Sequence, residues 1–443
     1  MRAFFQEKTE QAQADRAANL PLLARRLCIV IDFCQNLELP RVGAEQPGET
    51  YYYSPLWNYL FGIVDVSCEE DHLTAFCYPE GQAKKGANNV VSLVWKWLKS
   101  QGLCKEGETG EELNIVADNC SGQNKNKTMV KFCNFLVEAG FFKRVNLIFL
   151  VKGHTKNPCD RMFNSLKITY RESNIFTYPE LLANLRTHRD VTVVPVEAGP
   201  DFQDWETHLC KLYEKKPIAD INDYHLFEFG KLYNNRLVAV HYKAGSDPKS
   251  PVPSEKGDLQ ALMVGHKLQG LLNQVSDCRE DRQNLIQKLL EEGPEDLEAP
   301  GVSAIKKVEI WDKWFKIADQ VKWLDDGAEW EKWCPKPTAE ERSKVKSDRK
   351  KRALVREEEK KAIESIEREQ EVEDAISSDE DEADEDGDDE HINRISSHAT
   401  FSPYASSYRS PNREGSRKPN STASTPNTRS PTKKKGRRNK GKR

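Results

Sequence analysis

The stretch Leu27–Phe33 (LCIVIDF) is a nearly continuous apolar run that only the carboxylate of Asp32 interrupts. Such a run is typical of a strand that is buried on both faces of a sheet. A buried carboxylate without a partner is costly in free energy. We therefore expect Asp32 either to pair with a cation or to bind a metal ion.

Strand and helix patterns follow this run in a regular order. Tyr51–Asp65 has the pattern of a second strand with its lead-in, and Leu73–Tyr78 that of a third. Leu113–Ala117 and Val145–Val151 have the pattern of a fourth and a fifth strand. Helical spacing is found in Asn88–Ser100, in Lys127–Glu138 and from Pro158 to about Arg171. The order β-β-β-α-β-α-β-α predicts an α/β domain with a mixed sheet. An α/β domain without any special site would show the same order.

Two more carboxylates accompany the predicted strands. Asp118 directly follows the fourth strand, and Asp160 opens the third helix. Asp118 has an alternative explanation as a turn residue, and Asp160 as a residue that stabilises a helix N-terminus. If the first and fourth strands are neighbours, however, all three carboxylates converge on one edge of the sheet. They could not all stay ionised there without cations, and such oxygen ligands suit Mg²⁺ or Mn²⁺.

Three segments carry a resemblance to a known family: IDFCQNLELP (31–40), ADNCSGQNKNK (117–127) and KGHTKNPCDRMFNSL (152–166). They resemble a transposon-derived family of the ribonuclease H-like superfamily of transposases and integrases, mostly described only as a domain of unknown function. The resemblance covers roughly residues 27–242. It implies a ribonuclease H-like fold, two Mg²⁺ or Mn²⁺ ions held by Asp32, Asp118 and Asp160, and cleavage or strand transfer on DNA. It also implies a homodimer, for which the sequence identifies no interface.

Other polar residues of these segments are candidates for the same site. Gln35 and Asn36 follow Asp32 and are suited to orient it or the nucleic-acid backbone. His154 lies just after the fifth predicted strand, and we favour a local role for it in catalysis. A polar turn at the start of a helix suits a phosphate, although an ordinary turn explains it equally well. The candidate nucleic-acid-binding residues of this turn are Gln123, Asn124, Lys125, Asn126 and Lys127.

The sequence before the first strand, residues 1–26, is predicted to be a helical lead-in. Relatives usually carry cysteine- or histidine-rich sequence upstream, as the resemblance implies, and none is present here. Either the element is truncated, the sequence begins late, or the protein is a domesticated remnant.

Charge separates the chain into parts with different properties. Of its 443 residues, 67 are Lys or Arg and 71 are Asp or Glu, for a formal net charge of −4. Residues 371–390 contain 13 acidic side chains and no basic one, and residues 431–443 contain 8 basic side chains and no acidic one. Such blocks favour disorder. We predict a linker and helical segment over 243–300, a charged helix over 336–374 and a disordered tail over 375–443.

The basic end of the tail, KKKGRRNKGKR, is typical of a nuclear localisation signal or a nucleic-acid-binding arm. No apolar run is long enough to span a membrane, and the charged N-terminal stretch does not have the pattern of a secretory signal. We therefore expect a nuclear protein with DNA as its partner and no membrane association.

Residues 301–335 are rich in tryptophan, with five of the nine tryptophans of the chain. Stacking on bases is one explanation. We favour the packing of a small helical unit, or a face that docks a protein partner.

Two functions from different classes fit these observations. The first is a transposase-derived, metal-dependent nuclease or strand transferase. The alternative is a non-catalytic nuclear protein that retains the fold and binds nucleic acid or chromatin.

Overall fold

The computed structural model describes residues 2–43, 48–68, 70–150, 157–213, 221–232, 236–243, 279–316 and 327–380. The chain divides into two units, Met1–Ile363 and Glu364–Arg443. The first unit contains every strand named below. Of the second unit, the structure describes the helical residues up to Glu380.

A central mixed sheet organises the first unit, and its strand order is β10-β9-β6-β5-β1-β3-β4-β7, with the short β2 paired to β3. β8 and β11 form a separate pair. The strands are β1 (Arg26–Phe33), β2 (Leu37–Leu39), β3 (Leu56–Asp65), β4 (Leu73–Pro79), β5 (Gly110–Ala117), β6 (Phe142–Phe149), β7 (Val191–Pro195), β8 (Gly199–Gln203), β9 (Tyr224–Leu232), β10 (Arg236–Lys243) and β11 (Asp296–Leu297).

Helices of the first unit pack on both faces of this sheet. The described helices of the chain follow in order. They are α1 (Arg2–Ala17), α2 (Ala87–Ser100), α3 (Lys127–Glu138), α4 (Pro158–Glu172), α5 (Tyr178–Leu185), α6 (Trp205–Leu209), α7 (Arg279–Glu292), α8 (Ala304–Glu309), α9 (Gly327–Trp333) and α10 (Ala339–Glu380). None of the described helices is long and apolar enough to cross a membrane.

The predicted order of five strands and three helices is found, with ends that differ by a few residues. The segment Tyr51–Asp65, predicted as a second strand with its lead-in, is a strand from Leu56 onward, and β2 lies before it as an additional strand. The charged helix extends beyond the predicted end at 374 and continues to Glu380. The remainder of the predicted tail, and residues 244–278 of the predicted linker, lie outside the described residues.

The alternation of β1 explains why the sheet has a core on each face. Leu27, Ile29 and Ile31 contribute to one apolar cluster, together with α2 and α3. Cys28 and Val30 contribute to a second cluster, together with α1, α4 and α5. Because successive side chains of a strand point to opposite faces, β1 is buried on both sides, as its sequence predicts.

Ion pairs hold α1 on the second face. The Arg26 guanidinium Nε donates to Asp15 Oδ2 at 2.7 Å, and this side chain holds the pKa of Asp15 below its usual range. Earlier in α1, Lys8 Nζ lies 2.7 Å from Glu112 Oε1 of β5. Both carboxylates are buried, so each ion pair satisfies a charge that would otherwise be isolated from water.

The tryptophan-rich segment also packs on the second face. Trp314, Trp330 and Trp333 are buried there, and the Trp311 indole Nε1 donates to the Cys334 carbonyl at 2.8 Å. Trp323 lies outside the described residues. For the four described tryptophans, the favoured prediction of packing is confirmed. Docking of a partner protein at this segment stays a prediction.

The close approach of α4 to the sheet depends on Gly62 of β3. A Cβ atom built at Gly62 would lie 2.6 Å from Phe163 Cζ of α4 and 2.7 Å from a Leu73 methyl carbon. Both distances are shorter than real carbon contacts. Any side chain at this position would therefore push α4 away from the sheet.

We expect Gly62→Ala to lower the free energy of unfolding by about 1–3 kcal/mol, because the added methyl group overfills a packed site. Thermal unfolding followed by circular dichroism measures the effect. Gly122→Ala is the matched control, since no atom lies within 4 Å of the Cβ position there. Equal melting temperatures for the two variants would contradict the packing argument.

Burial of His208 in α6 predicts a pH dependence of stability. Desolvation lowers the pKa of His208 to about 4, with Lys211 acting in the same direction and Glu292, the Leu289 carbonyl and Asp204 opposing it. The unfolded chain therefore binds a proton near pH 6.5 that the folded chain does not take up until near pH 4. The stability that His208 contributes is present above about pH 6.5 and is lost as the pH falls toward 4.

We expect this loss to be about 2–3 kcal/mol between pH 7 and pH 4. Urea unfolding at a series of pH values, compared between the unmodified protein and His208→Gln, isolates it. The variant should show the shallower decline. His72→Gln, at an exposed position, is the control and should follow the unmodified protein. A decline that is equally steep in His208→Gln would disprove the assignment.

Candidate functional site

Parallel pairing of β1 with β5 brings Asp32 and Asp118 together. In the register of this pair, Ile29 lies opposite Ile115 and Val30 opposite Val116. If this register is continued by two residues, Asp32 lies beside Asp118. Neighbouring strands of a sheet are about 4.8 Å apart. The condition that the sequence left open, that the first and fourth predicted strands are neighbours, is met.

Both aspartates face the side of the sheet that α4 covers. Val30 and Val116 belong to the apolar cluster that also contains Phe163 and Leu166 of α4. Because residues two apart on a strand share a face, Asp32 and Asp118 follow these valines onto the same side. The N-terminal end of α4 therefore lies over the two carboxylates.

Asn157 joins α4 to Asp32. Its side-chain Oδ1 accepts a hydrogen bond from the Cys159 backbone N–H at 2.9 Å, which makes it the N-cap of the helix. Its Nδ2 donates to Asp32 Oδ2 at 2.7 Å. The Asp32 Oδ1 atom accepts from the Phe33 backbone N–H, also at 2.7 Å. One buried carboxamide thus fixes both the start of α4 and the orientation of the carboxylate.

Asp118 is held in a similar way. Its Oδ1 accepts from Asn124 Nδ2 at 2.6 Å and from the Cys120 backbone N–H at 3.1 Å. Asn124 is fully buried, and its Oδ1 has no hydrogen-bond partner in the structure. Each of the two aspartates is therefore oriented by one asparagine and one backbone N–H group.

The carboxylates affect one another electrostatically. Burial, followed by the charges of Asp118 and Asp160, raises the pKa of Asp32 to about 7. The hydrogen bonds from Phe33 and Asn157 act in the opposite direction. A group of carboxylates that destabilise one another's ionised form is an environment that a bound cation would relieve.

The predicted set of three metal ligands is not assembled in this structure. Among the residues that the structure describes, no three His, Cys, Asp or Glu side chains lie close enough to hold a metal ion. Asp160 lies in the first turn of α4 and is exposed, whereas Asp32 and Asp118 lie on neighbouring strands. A pair of aspartates still fits Mg²⁺, which usually keeps several waters and takes only one or two protein carboxylates beside substrate phosphates.

The polar turn before α3 is held by its own side chains. Asn126 is the N-cap of α3, with its Oδ1 3.0 Å from the Met129 backbone N–H. Lys125 is buried, and its Nζ donates to Asn119 Oδ1 at 3.0 Å and to the Asn222 carbonyl at 2.7 Å. Lys127 pairs with Glu206 at 2.7 Å.

The other predicted nucleic-acid-binding residues differ in accessibility. Gln35 is exposed, and Asn36 and Gln123 are half-buried. Contact of nucleic acid with any of the seven predicted residues stays a prediction. His154 lies outside the described residues, so its proposed catalytic role is likewise a prediction.

Two residues of the site were not identified from the sequence. Asn157 precedes Pro158 at a helix start, and an asparagine followed by a proline at the first helical position is a recognisable N-cap signal. Lys85 gives no such signal. Its Nζ donates to the Cys34 carbonyl at 3.3 Å and lies 4.9 Å from the ring centroids of both Phe33 and Tyr59.

Comparison with known proteins gives one family match and no assigned activity. Residues 55–247 match the family model of a domain of unknown function, DUF7869. This match covers less than half of the chain and does not include β1 or Asp32. No curated protein matches significantly.

Solved structures give only remote similarity. A crystal structure of NurA with manganese is 11% identical, with 65% of this chain and 61% of that chain covered and a TM-score of 0.14. A structure of NurA bound to dAMP and manganese is 12% identical, with 66% and 60% covered and a TM-score of 0.14. This chain therefore spans about three fifths of the length of those proteins, and TM-scores this low do not establish a shared fold.

Proposed function

We propose that this protein is a transposase-derived, ribonuclease H-like enzyme that cleaves DNA phosphodiesters, or transfers DNA strands, with the help of Mg²⁺ or Mn²⁺. The observation that carries the proposal is the position of Asp32 and Asp118 at the ends of the neighbouring parallel strands β1 and β5, on the face that α4 covers. Support for the fold comes from the matching order of strands and helices.

The proposal gives the aspartates and the asparagines of the site different roles. Asp32 and Asp118 would bind the metal ion, which when bound would activate a water or hydroxyl group and stabilise the leaving oxygen. Asn157 and Asn124 hold the two carboxylates in place through hydrogen bonds of 2.7 Å and 2.6 Å. Asp160 enters this proposal as an additional charge at the start of α4, within electrostatic reach of Asp32.

The proposal includes a nuclear location and DNA as the partner. Its basis is the basic C-terminal segment at 431–443. Such a segment supplies phosphate contacts that are independent of DNA sequence.

One observation favours a second candidate. The described residues hold no three-ligand metal group. A protein that has kept the fold without catalysis would bind nucleic acid or chromatin in the nucleus and would show no metal-dependent cleavage.

We expect Asp118→Asn to abolish Mg²⁺-dependent nicking of supercoiled DNA by the purified full chain. Loss of a residue that only hydrogen-bonds to a metal ligand typically costs roughly 10–100-fold in activity. Loss of the Asp118 carboxylate, a proposed ligand itself, should reduce the nicking rate by more than this. The substitution retains the shape of the side chain and an oxygen that can accept from Asn124, so the fold should survive. A second measurement, titration with Mn²⁺ followed by electron paramagnetic resonance, should show weaker binding in the variant.

Asp190→Asn is the matched control. Asp190 is exposed and directly precedes β7. β7 is parallel to β4, and β4 runs in the same direction as β1 because both are antiparallel to β3. Asp190 therefore lies at the opposite edge of the sheet from Asp32 and Asp118. Equal nicking by Asp118→Asn and Asp190→Asn would rule out the proposed site, and DNA binding without any nicking or Mn²⁺ binding would favour the second candidate.

A further inference from the structure

Lys85 lies at the same edge of the sheet as the two aspartates. β4 runs in the direction of β1, because both are antiparallel to β3. Lys85 follows the end of β4 and immediately precedes Gly86, the N-cap of α2. Its Nζ donates to the carbonyl of Cys34, which is two residues after Asp32.

The ammonium group of Lys85 is held in place by aromatic rings. It lies 4.9 Å from the centroid of Phe33 and 4.9 Å from that of Tyr59. Such cation–π contacts restrict a side chain that is otherwise among the most flexible in proteins. Burial lowers the pKa of Lys85, and the charge of Asp32 is among the influences that oppose this. The cation therefore has a defined position. Both rings pack on the face of the sheet that α2 and α3 cover, so Lys85 lies at the shared edge on the other face from the side chains of Asp32 and Asp118, within electrostatic reach of Asp32.

Within the described residues, Lys85 forms no ion pair. An ammonium group has three N–H donors, and the only oxygen found for Lys85 is the Cys34 carbonyl at 3.3 Å. A half-buried cation is expected to have an anionic partner, because partial removal from water disfavours its charge. No carboxylate of the described residues forms an ion pair with Lys85, and a nucleic-acid phosphate is the anion that the proposed reaction brings to this edge of the sheet.

We propose that Lys85 binds a backbone phosphate of the DNA strand at the edge of the sheet that carries Asp32 and Asp118. This inference rests on the proposed function, since it takes DNA as the substrate. A lysine binds phosphate as a point charge, and here two ring faces orient that charge before the substrate arrives. Lys85 is thus assigned a substrate-binding role that neither its own sequence context nor the motif around Asp118 suggests.

The neighbouring Lys84 provides a matched control. Its side chain is exposed, and only its backbone carbonyl takes part in a described contact, as acceptor of the Tyr78 hydroxyl at 3.1 Å. Removing its charge changes the net charge of the protein by the same amount as removing that of Lys85. A difference between the two variants therefore reports on position and not on overall charge.

The test is the salt dependence of binding to a DNA duplex, measured by fluorescence anisotropy in Ca²⁺ and again in EDTA. Each phosphate that a protein neutralises contributes about 0.9 to the slope of log K against log salt concentration. Lys85→Met, which keeps the apolar stem between the two rings, should reduce the slope by about this amount. Lys85→Arg should restore it, and Lys84→Met should leave it unchanged.

A slope in Lys85→Met equal to that of the unmodified protein would overturn the inference. So would an equal reduction in Lys84→Met, because it would indicate a diffuse basic surface. Titration with Mn²⁺ separates this result from the proposed function. A reduced slope with Mn²⁺ binding that is no weaker than in the unmodified protein supports a role in binding phosphate, because removing a nearby cation does not weaken the binding of a metal ion. Weakened Mn²⁺ binding in Lys85→Met would show that the substitution disturbs the aspartate pair itself, and would overturn the inference. Absence of Mn²⁺ binding in the unmodified protein would refute the proposed function. The salt-dependence slopes would still show whether Lys85 contacts a phosphate.

Discussion

The parallel pairing of β1 with β5 is the interaction on which the candidate site depends. Two strands that are separated by more than seventy residues in sequence become neighbours, with Val30 opposite Val116. The pairing fixes the position of Asp32 relative to Asp118 along the strand direction. A shift of one residue in this register would turn one of the two carboxylates to the other face, where α2 and α3 pack.

Close packing of α4 on the sheet determines which residues are found near the site. On the side of α4, Gly62 lies opposite Asp32 on β3 and leaves space for Phe163. The absence of a side chain at Gly62 lets the helix approach closely enough for Asn157 to reach Asp32. A glycine of β3, the asparagine that caps α4 and an apolar ring of α4 thus act together to position one carboxylate of β1.

Much of the fold was predictable because each element depends mainly on local pattern. The runs that became β1 and β6 are apolar on both faces, and the spacing of apolar residues in α2 and α3 is helical. The sequence also drew attention to Asp32 and Asp118 as candidates, because a carboxylate in or just after an apolar strand requires an explanation, and the structure sets them on neighbouring strands. Which strands are neighbours was not predictable, since pairing is decided by long-range packing.

Other predictions concern residues whose contacts depend on distant parts of the chain. The motif around Lys125 predicts a phosphate site, which stays a prediction, and the structure adds that this lysine joins Asn119 to the Asn222 carbonyl. Lys85 stands outside every motif, and its position follows from ring faces supplied by β1 and β3. Local composition shows which residues carry charge, and the fold decides whether that charge meets a protein group or remains available.

The separation of Asp160 from a closed ligand set follows from its place in α4. The first turn of a helix is anchored by its cap, and here the cap is Asn157, which is itself bound to Asp32. Asp160 is three residues further along and is exposed. The hydrogen bond between Asn157 and Asp32 therefore limits how far Asp160 can move toward the strands, unless that bond is broken.

Hydrogen bonds from two asparagines and two backbone N–H groups already orient Asp32 and Asp118. A metal site built on this pair would therefore use substrate phosphate and water for its remaining ligands. On the proposed function, substrate phosphate would complete the site, and Lys85 at the same edge of the sheet would bind a phosphate of the same strand.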